Sequence, residues 1–342
     1  MQKMMKRWQL TGTGLNNLIL ADVPVPVPGD HEVLIRVSAV SLNYRDLLVI
    51  DGKLLPELPE MPFTPASDMA GEIVAAGEKV TRFHTGERVI GNFWTQWTDN
   101  APPAEMAHHG MSLGGPLPGV LAEYIVLNEE TLVAVPPSLT DEEASTLPIT
   151  GLTAWFALTE SGHLQLGQTV LLQGTGGVSL AGLQIALAMG AEPVVLTRSA
   201  EKIARLNALG VTRIIDTGTT PAWADAVMSL TGGHGADHIL EVIGGENLRQ
   251  SVVALAPGGH IAQIGFMQSE ELVMPAVPLM LKQATLQGIT VGHRRALERL
   301  CAAVEQYQIK PVIDTVYPFG DVPAAFAHLQ RGPFGKIVIR IK

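Results

Sequence analysis

The chain of 342 residues has the length of two ordinary domains, and 46% hydrophobic against 16% charged residues is a composition for large buried cores, which excludes a disordered protein. Its 23 Lys and Arg against 33 Asp and Glu give a net charge of −10, which argues against nucleic-acid and anionic-membrane partners because phosphate binding needs a positive field. One cysteine excludes an internal disulfide and a four-thiolate structural zinc site.

Lys3, Lys6 and Arg7 open the chain, with no apolar stretch behind them to serve as a signal-peptide core. No run of 18 apolar residues occurs, and no Cys stands near the C-terminus for prenylation, so a cytoplasmic protein is expected. Pro24, Pro26, Pro28 and Gly29 break up regular structure. Val33, Ile35, Val37 and Ala39 then alternate with other side chains, the period of a strand with one buried face. Short apolar runs follow at 71–76, 88–90 and 122–127, parted by turns such as Ala76-Gly77 and Thr85-Gly86. The pattern predicts an antiparallel, partly closed sheet.

From about Asp141 the texture changes. Strands predicted at 169–173, 193–196, 213–215, 238–242 and 260–264 alternate with helices predicted at 177–188, 200–209, 221–230 and 246–255. That is the signature of βαβ units on a parallel sheet, its strands apolar throughout because helices cover both faces. Beyond Gly292, the residues Leu297, Leu300, Cys301 and Val304 share one face of a further helix, which makes Cys301 a core residue. Ile337, Ile339 and Ile341 alternate in a closing strand that returns to complete the N-terminal domain.

Gly174-Thr175-Gly176-Gly177-Val178-Ser179 follows the apolar strand directly and opens a helix, the context that makes a glycine-rich loop a dinucleotide site. Gly174 permits the tight turn, Gly176 lets the backbone approach a pyrophosphate, and the helix N–H groups face its charge. Ser179 stands where the last Gly is usual. The second strand continues Thr197-Arg198-Ser199, with Lys202 one turn later, where an NAD site would place an acidic residue for the ribose. A neutral hydroxyl beside Arg198 and Lys202 suits a 2′-phosphate, so NADP(H) is the expected cofactor, with solvated helix-start residues as the other reading of this pair.

Several motifs are specific together: Gly71-Glu72-Ile73-Val74 with Gly77 and Val80, Gly86-Glu87-Arg88-Val89, Ala122-Glu123-Tyr124, Thr150-Gly151-Leu152-Thr153-Ala154 and Gly335-Lys336-Ile337-Val338. Through them the chain resembles, over essentially its full length, the medium-chain dehydrogenase/reductase superfamily. Ser41-Leu42-Asn43-Tyr44-Arg45-Asp46 makes it similar to the zinc-free quinone oxidoreductase-like and zinc-independent alcohol dehydrogenase-like branch. The resemblance implies an α/β fold with a GroES-like, mostly-β catalytic domain at 1–125 and 295–342 and a Rossmann, doubly wound parallel-sheet domain at 126–294. It also implies an active site in the cleft between them, and a homodimer.

By the same resemblance the nicotinamide lies near Thr153, Val242-Ile243-Gly244 and Ile264-Gly265-Phe266. Thr290-Val291-Gly292-His293 is then the last Rossmann strand and meets the carboxamide through its backbone, with Gly292 a cofactor contact. Lys336 approaches the cofactor phosphates or makes a surface ion pair. Asp216-Thr217 replaces the Asn-Tyr pair common in quinone reductases, which removes one contact to the adenosine phosphate.

The zinc-dependent branch holds its metal with Cys where this chain has Asn43, His where it has Ser67, and a second Cys where it has Ile149; the neighbouring Glu becomes Asp68. Asn and Ser are poor neutral ligands and Ile is none, so no metal is expected. His108 and His109 are adjacent and point apart if extended, while His234 and His238 are parted by Gly235 and a strand, so neither pair is expected to bind one.

Without a Lewis acid, oxidising a simple alcohol is difficult, while hydride delivery to a quinone or to the β-carbon of an enone needs only a hydrogen-bond donor for the oxyanion and a proton. The resemblance places Asn43, Tyr44, Arg45 and Asp46 at the catalytic position. Tyr44 is a donor to the substrate oxygen or a packing residue, Asn43 orients substrate or nicotinamide, and an Arg45–Asp46 pair is structural or catalytic. Trp94, Trp97 and Phe63 are a flat slot for quinones or lobe core. Three readings remain: an NADPH-dependent reductase of a quinone or α,β-unsaturated carbonyl; an alcohol or aldehyde dehydrogenase-type enzyme; and an NADPH-binding sensing or interaction protein.

Overall fold

Residues Met4–Leu10 (β1) and Leu18–Pro24 (β2) pair as an antiparallel ribbon, with Gly14 in the connection at φ +91°, a conformation that glycine adopts without strain. The computed structural model describes residues 3–342, so the first two residues of the expected 1–125 segment lie outside it. β3 (Glu32–Ser41) follows, with Val33, Ile35 and Val37 fully buried as the alternation requires. It is the spine of a sheet with β4 (Asp68–Ala76), β5 (Arg88–Gly91), β6 (Tyr124–Asn128) and β7 (Leu132–Ala134), all paired antiparallel. At Gly71 of β4 a Cβ would stand 2.4 Å from the Arg36 carbonyl, so the two strands approach this closely only because the residue is glycine.

A second unit, Thr153–Val291, is built from six parallel strands: β8 (Thr169–Gln173), β9 (Glu192–Thr197), β10 (Ile214–Asp216), β11 (Ala236–Glu241), β12 (Leu255–Gln263) and β13 (Thr285–Gly288). Their order is β10-β9-β8-β11-β12-β13, the doubly wound arrangement of a Rossmann fold. Helices Gly177–Ala188, Ala200–Ala208, Trp223–Leu230 and Asn247–Ala254 connect the first five strands. Its core holds Leu171, Val194, Ile239 and Ile261 from four neighbouring strands.

The sixth strand corrects the sequence reading. It is Thr285–Gly288, not 290–293. Val291 sits in the left-handed region at φ +63°, and His293 is the N-cap of the Arg294–Tyr307 helix, its Nδ1 accepting the Ala296 N–H at 3.0 Å. The left-handed turn at Val291 breaks the extended run that a strand over 290–293 would need.

After Val291 the chain resumes the first unit. The Arg294–Tyr307 helix buries Leu297, Leu300, Cys301 and Val304, and burial pushes the Cys301 thiol up to about 12. β14 (Ile313–Pro318) and β15 (Lys336–Arg340) are parallel to each other, and β15 adds antiparallel to β3, as the closing alternation suggested. The first unit therefore runs to Leu152 and resumes at Gly292. A boundary at 125/126 would have cut through β6, which is hydrogen-bonded to β3.

Candidate active site

In the second unit, β8 is buried throughout and ends at Gly174, whose φ of +77° turns the chain into the Gly177–Ala188 helix. A Cβ at Gly174 or at Gly176 would find no atom within 4 Å, so the space over both glycines is open. Gly176 caps the helix without a side chain, which leaves its first-turn N–H groups to an outside acceptor. Ser179 lies in that first turn and donates to the Gln173 carbonyl at 2.7 Å, tying helix to strand. The close helix-to-sheet approach is made instead at Gly182, where a Cβ would stand 2.6 Å from Leu240. Thr197 is buried at the end of β9, Arg198 is exposed beyond it, and Ser199 accepts the Lys202 N–H to cap the next helix.

The strand ends assigned to the nicotinamide do meet one another. Glu241, wholly buried at the end of β11, accepts from the Ile243 and Gly244 N–H groups at 3.0 Å and from Gln173, Asn247 and Ser251 side chains. Its own carbonyl accepts from Ile264 and Gly265. A Cβ at Gly265 would stand 2.2 Å from the Val242 carbonyl, so Val242, Ile243, Ile264, Gly265 and Phe266 form one surface. The sequence reading missed Glu241: a lone acid in an apolar strand gives no sign that five donors converge on it. Thr153 is buried at the start of this unit. Gly292 is not part of it; it lies in the first unit and accepts from Asn92 Nδ2 at 3.4 Å.

In the first unit, β3 lies between β15 and β4, and this adjacency assembles a buried charged cluster at the end of β3. Asn43 precedes the Tyr44–Ile50 helix, and Asp46 reaches back to accept the Asn43 N–H at 2.8 Å. Lys336, at the start of β15, is 5% exposed; its ammonium donates to the Leu42 carbonyl at 2.6 Å and to Asn43 Oδ1 at 2.5 Å. The expected surface ion pair fails on this geometry, since the amine is buried and donates to protein oxygens. Alternation had marked β15 as half-buried, yet residues 336–339 are buried on both faces.

Asp68 accepts from Ser67 Oγ at 2.8 Å and from the Ile149 N–H at 3.1 Å. Burial pushes its pKa up, against the pull of Lys336, Asn43, Ser67 and Ile149. Burial likewise raises Asp46 to about 6, opposed by Arg45, the Asn43 N–H and Lys336. Lys336 is lowered to about 8 by burial, opposed by Asp68 and Asp46.

Arg45 donates to the carbonyls of Leu113, Gly114 and Gly115 and lies over the Phe93 ring at 4.8 Å, with Asp46 at 3.8 Å, so it braces the 113–115 loop. Tyr44 is half exposed and is not a packing residue. Asn43 Nδ2 and Asp46 Oδ1 are buried without a hydrogen-bond partner. Nδ2 nonetheless lies near enough to Asp68 to favour the charged carboxylate. Phe63, Trp94 and Trp97 are buried and belong to the interior. His234 pairs with Asp237 at 3.0 Å while His238 bonds Gln168 at 2.9 Å, so these two histidines face different partners.

Residues 29–137 match the alcohol dehydrogenase GroES-like domain family and residues 177–306 the zinc-binding dehydrogenase family. A zinc-type alcohol dehydrogenase-like protein of Schizosaccharomyces pombe is 39% identical over 91% of each chain. The chain belongs to the medium-chain dehydrogenase/reductase superfamily. A quinone oxidoreductase-like protein 2 homolog of Nematostella vectensis is 31% identical over 92% of this chain and 83% of its own. The crystal structure of a putative alcohol dehydrogenase from Sinorhizobium meliloti superposes with a TM-score of 0.95 at 51% identity, covering all of both chains. The protein is thus an oxidoreductase of the quinone oxidoreductase and alcohol dehydrogenase type, from a family that binds pyridine nucleotides.

The second unit fits that cofactor: Gly174, Thr175, Gly176, Gly177 and Val178 would hold the pyrophosphate over the open glycines and the uncapped helix end. Zinc does not fit the first unit. Ser67 spends its hydroxyl proton on Asp68, Ile149 offers only its backbone N–H, and Asn43 Oδ1 already receives an ammonium. Among the described residues no three His, Cys, Asp or Glu side chains are grouped to hold a metal ion.

Proposed function

We propose that this superfamily member is an NADPH-dependent, zinc-independent reductase whose acceptor is a quinone or an α,β-unsaturated carbonyl. The observation that carries the reading is the Lys336 ammonium on Asn43 Oδ1, where the zinc-dependent branch has a ligand. A bound reduced nicotinamide supplies hydride. What remains for the chain is to hold the acceptor and stabilise the oxyanion that forms as hydride arrives. The open Nδ2 amide of Asn43 and the exposed hydroxyl of Tyr44 are the donors for that oxygen, while Arg45 and Asp46 hold the helix and loop that carry them. Arg198, exposed after the buried Thr197, favours a 2′-phosphate over a plain ribose, and Lys202 one turn later adds to the positive field. The reading also includes a homodimer through the open edge of β13.

A second reading, an alcohol or aldehyde dehydrogenase, has the names of two of the similar proteins in its favour. Steady-state oxidation of NADPH and of NADH by a panel of quinones, alkenals and simple aldehydes separates the two. Turnover of quinones or alkenals with NADPH preferred is the expected result. Turnover confined to simple aldehydes, or a preference for NADH, would contradict the proposal.

A further inference from the structure

We propose that Lys336 takes the metal's place in this protein: its ammonium is the resident cation of the buried cluster, and by holding Asn43 Oδ1 it positions the Asn43 amide toward the acceptor's oxygen. The identity of that acceptor rests on the reductase reading above; the place of the cation does not.

The cluster is balanced without any ion from outside. Arg45 and Lys336 face Asp46 and Asp68, two charges of each sign, and all but Arg45 are buried. Asp68 and Asp46 are the groups that favour the charged form of Lys336, and Lys336 in turn favours theirs. A second cation introduced at Asn43 Oδ1 would lie against the ammonium that is already bonded to that oxygen. Zinc is therefore excluded by occupancy as well as by the loss of its Cys and His ligands.

The same contact fixes which way Asn43 faces. An ammonium only donates, so the side-chain oxygen must face Lys336, and the NH2 group must lie on the other side. That NH2 group is buried and makes no hydrogen bond of ordinary length with the protein. A buried donor left open in this way is costly unless a ligand completes it. Asp68 draws on one of its two protons at most, which leaves the other for an acceptor oxygen. Lys336 is thus a positioning residue acting through Asn43. Topology sets the arrangement, since β3 has β15 on one side and β4 on the other.

The test uses the full chain with Lys336→Ala and, should that variant fail to fold, the charge-balanced pair Lys336→Ala with Asp68→Asn. Removing the ammonium leaves one of the two carboxylate charges uncompensated, since Arg45 stays beside Asp46. Lys336→Ala should then lose thermal stability, and the charge-balanced pair should recover part of that loss, because it removes the carboxylate charge left without its cation. Quinone reduction should lose about 100-fold in kcat in either variant, the loss typical of an oxyanion donor. KM and the NADPH Kd should stay unchanged.

Uptake of stoichiometric zinc by the wild type would overturn the inference, as would an unchanged kcat in a folded variant. If the wild type turns over no quinone or enone, the reductase reading falls. The stability comparison then decides the place of Lys336 by itself: a Lys336→Ala variant as stable as the wild type would overturn it.

Discussion

At the scale of single residues, burial of ionisable groups sets how the protein responds to pH. His238 is held in the second unit with one ring nitrogen on Gln168 and the other, Nδ1, without a partner. Burial lowers it to about 4, and His260 and His163 add to the effect against Asp237. Between its ordinary 6.5 and that value, the unfolded chain binds a proton that the native state refuses. Stability should therefore be fully present above pH 6.5 and fall by about 3 kcal/mol as the pH drops to 4. Urea unfolding of wild type and His238→Gln across this range checks the sign. The variant should show a flatter profile, and equal slopes in the two proteins would contradict the assignment.

Single residues also mark how far the sequence could be read. Gly174 announces itself because its φ of +77° demands glycine, while Gly176 and Thr197 stand out by position, one after a strand and the other at the end of the next. Lys336 does not. Its partners stand 293 and 294 positions away, and no local pattern reports a contact made across a sheet.

At the scale of elements, β8 and the helix after it are legible to the residue, since an apolar run, a glycine turn and a small-residue helix follow in strict order. β12 is longer than its apolar stretch because it starts at Leu255 and carries Pro257, Gly258 and Gly259, which read as a turn. β13 was misplaced for a physical reason. Three of its four residues are exposed, so an edge strand with little apolar content leaves no run to detect, while Thr290-Val291 nearby has the right composition and the wrong backbone.

An open edge is also a place for pairing. Beside β13, the short Ala276–Leu281 helix exposes Val277, Met280 and Leu281. A second copy that pairs β13 with β13 would cover them, as the homodimer proposal requires. Replacing Met280 and Leu281 by Glu together should convert a dimer into chains of 36.4 kDa in light scattering. A wild type already at that mass, or a double variant that stays dimeric, would count against the β13 interface.

At the scale of the whole molecule, the division of labour was visible in the change of texture near Asp141, and the return of the last strand to the first unit in the final isoleucines. The boundary lies later than the sequence suggests because residues 126–152 carry a short strand and short helical segments that resemble neither pattern. Among the described residues no helix is long and apolar enough to cross a membrane. The two units carry distinct physical provisions. One offers an open glycine loop at a helix end, and the other a buried cluster whose charges balance without an added ion.

The claim that ties them together is reduction without a metal. The decisive measurement is kcat for quinone or enone reduction before and after exhaustive chelation, with zinc determined on the same samples by elemental analysis. Unchanged kcat with zinc far below one per chain is the predicted result. Activity lost on chelation and restored by zinc would contradict the account.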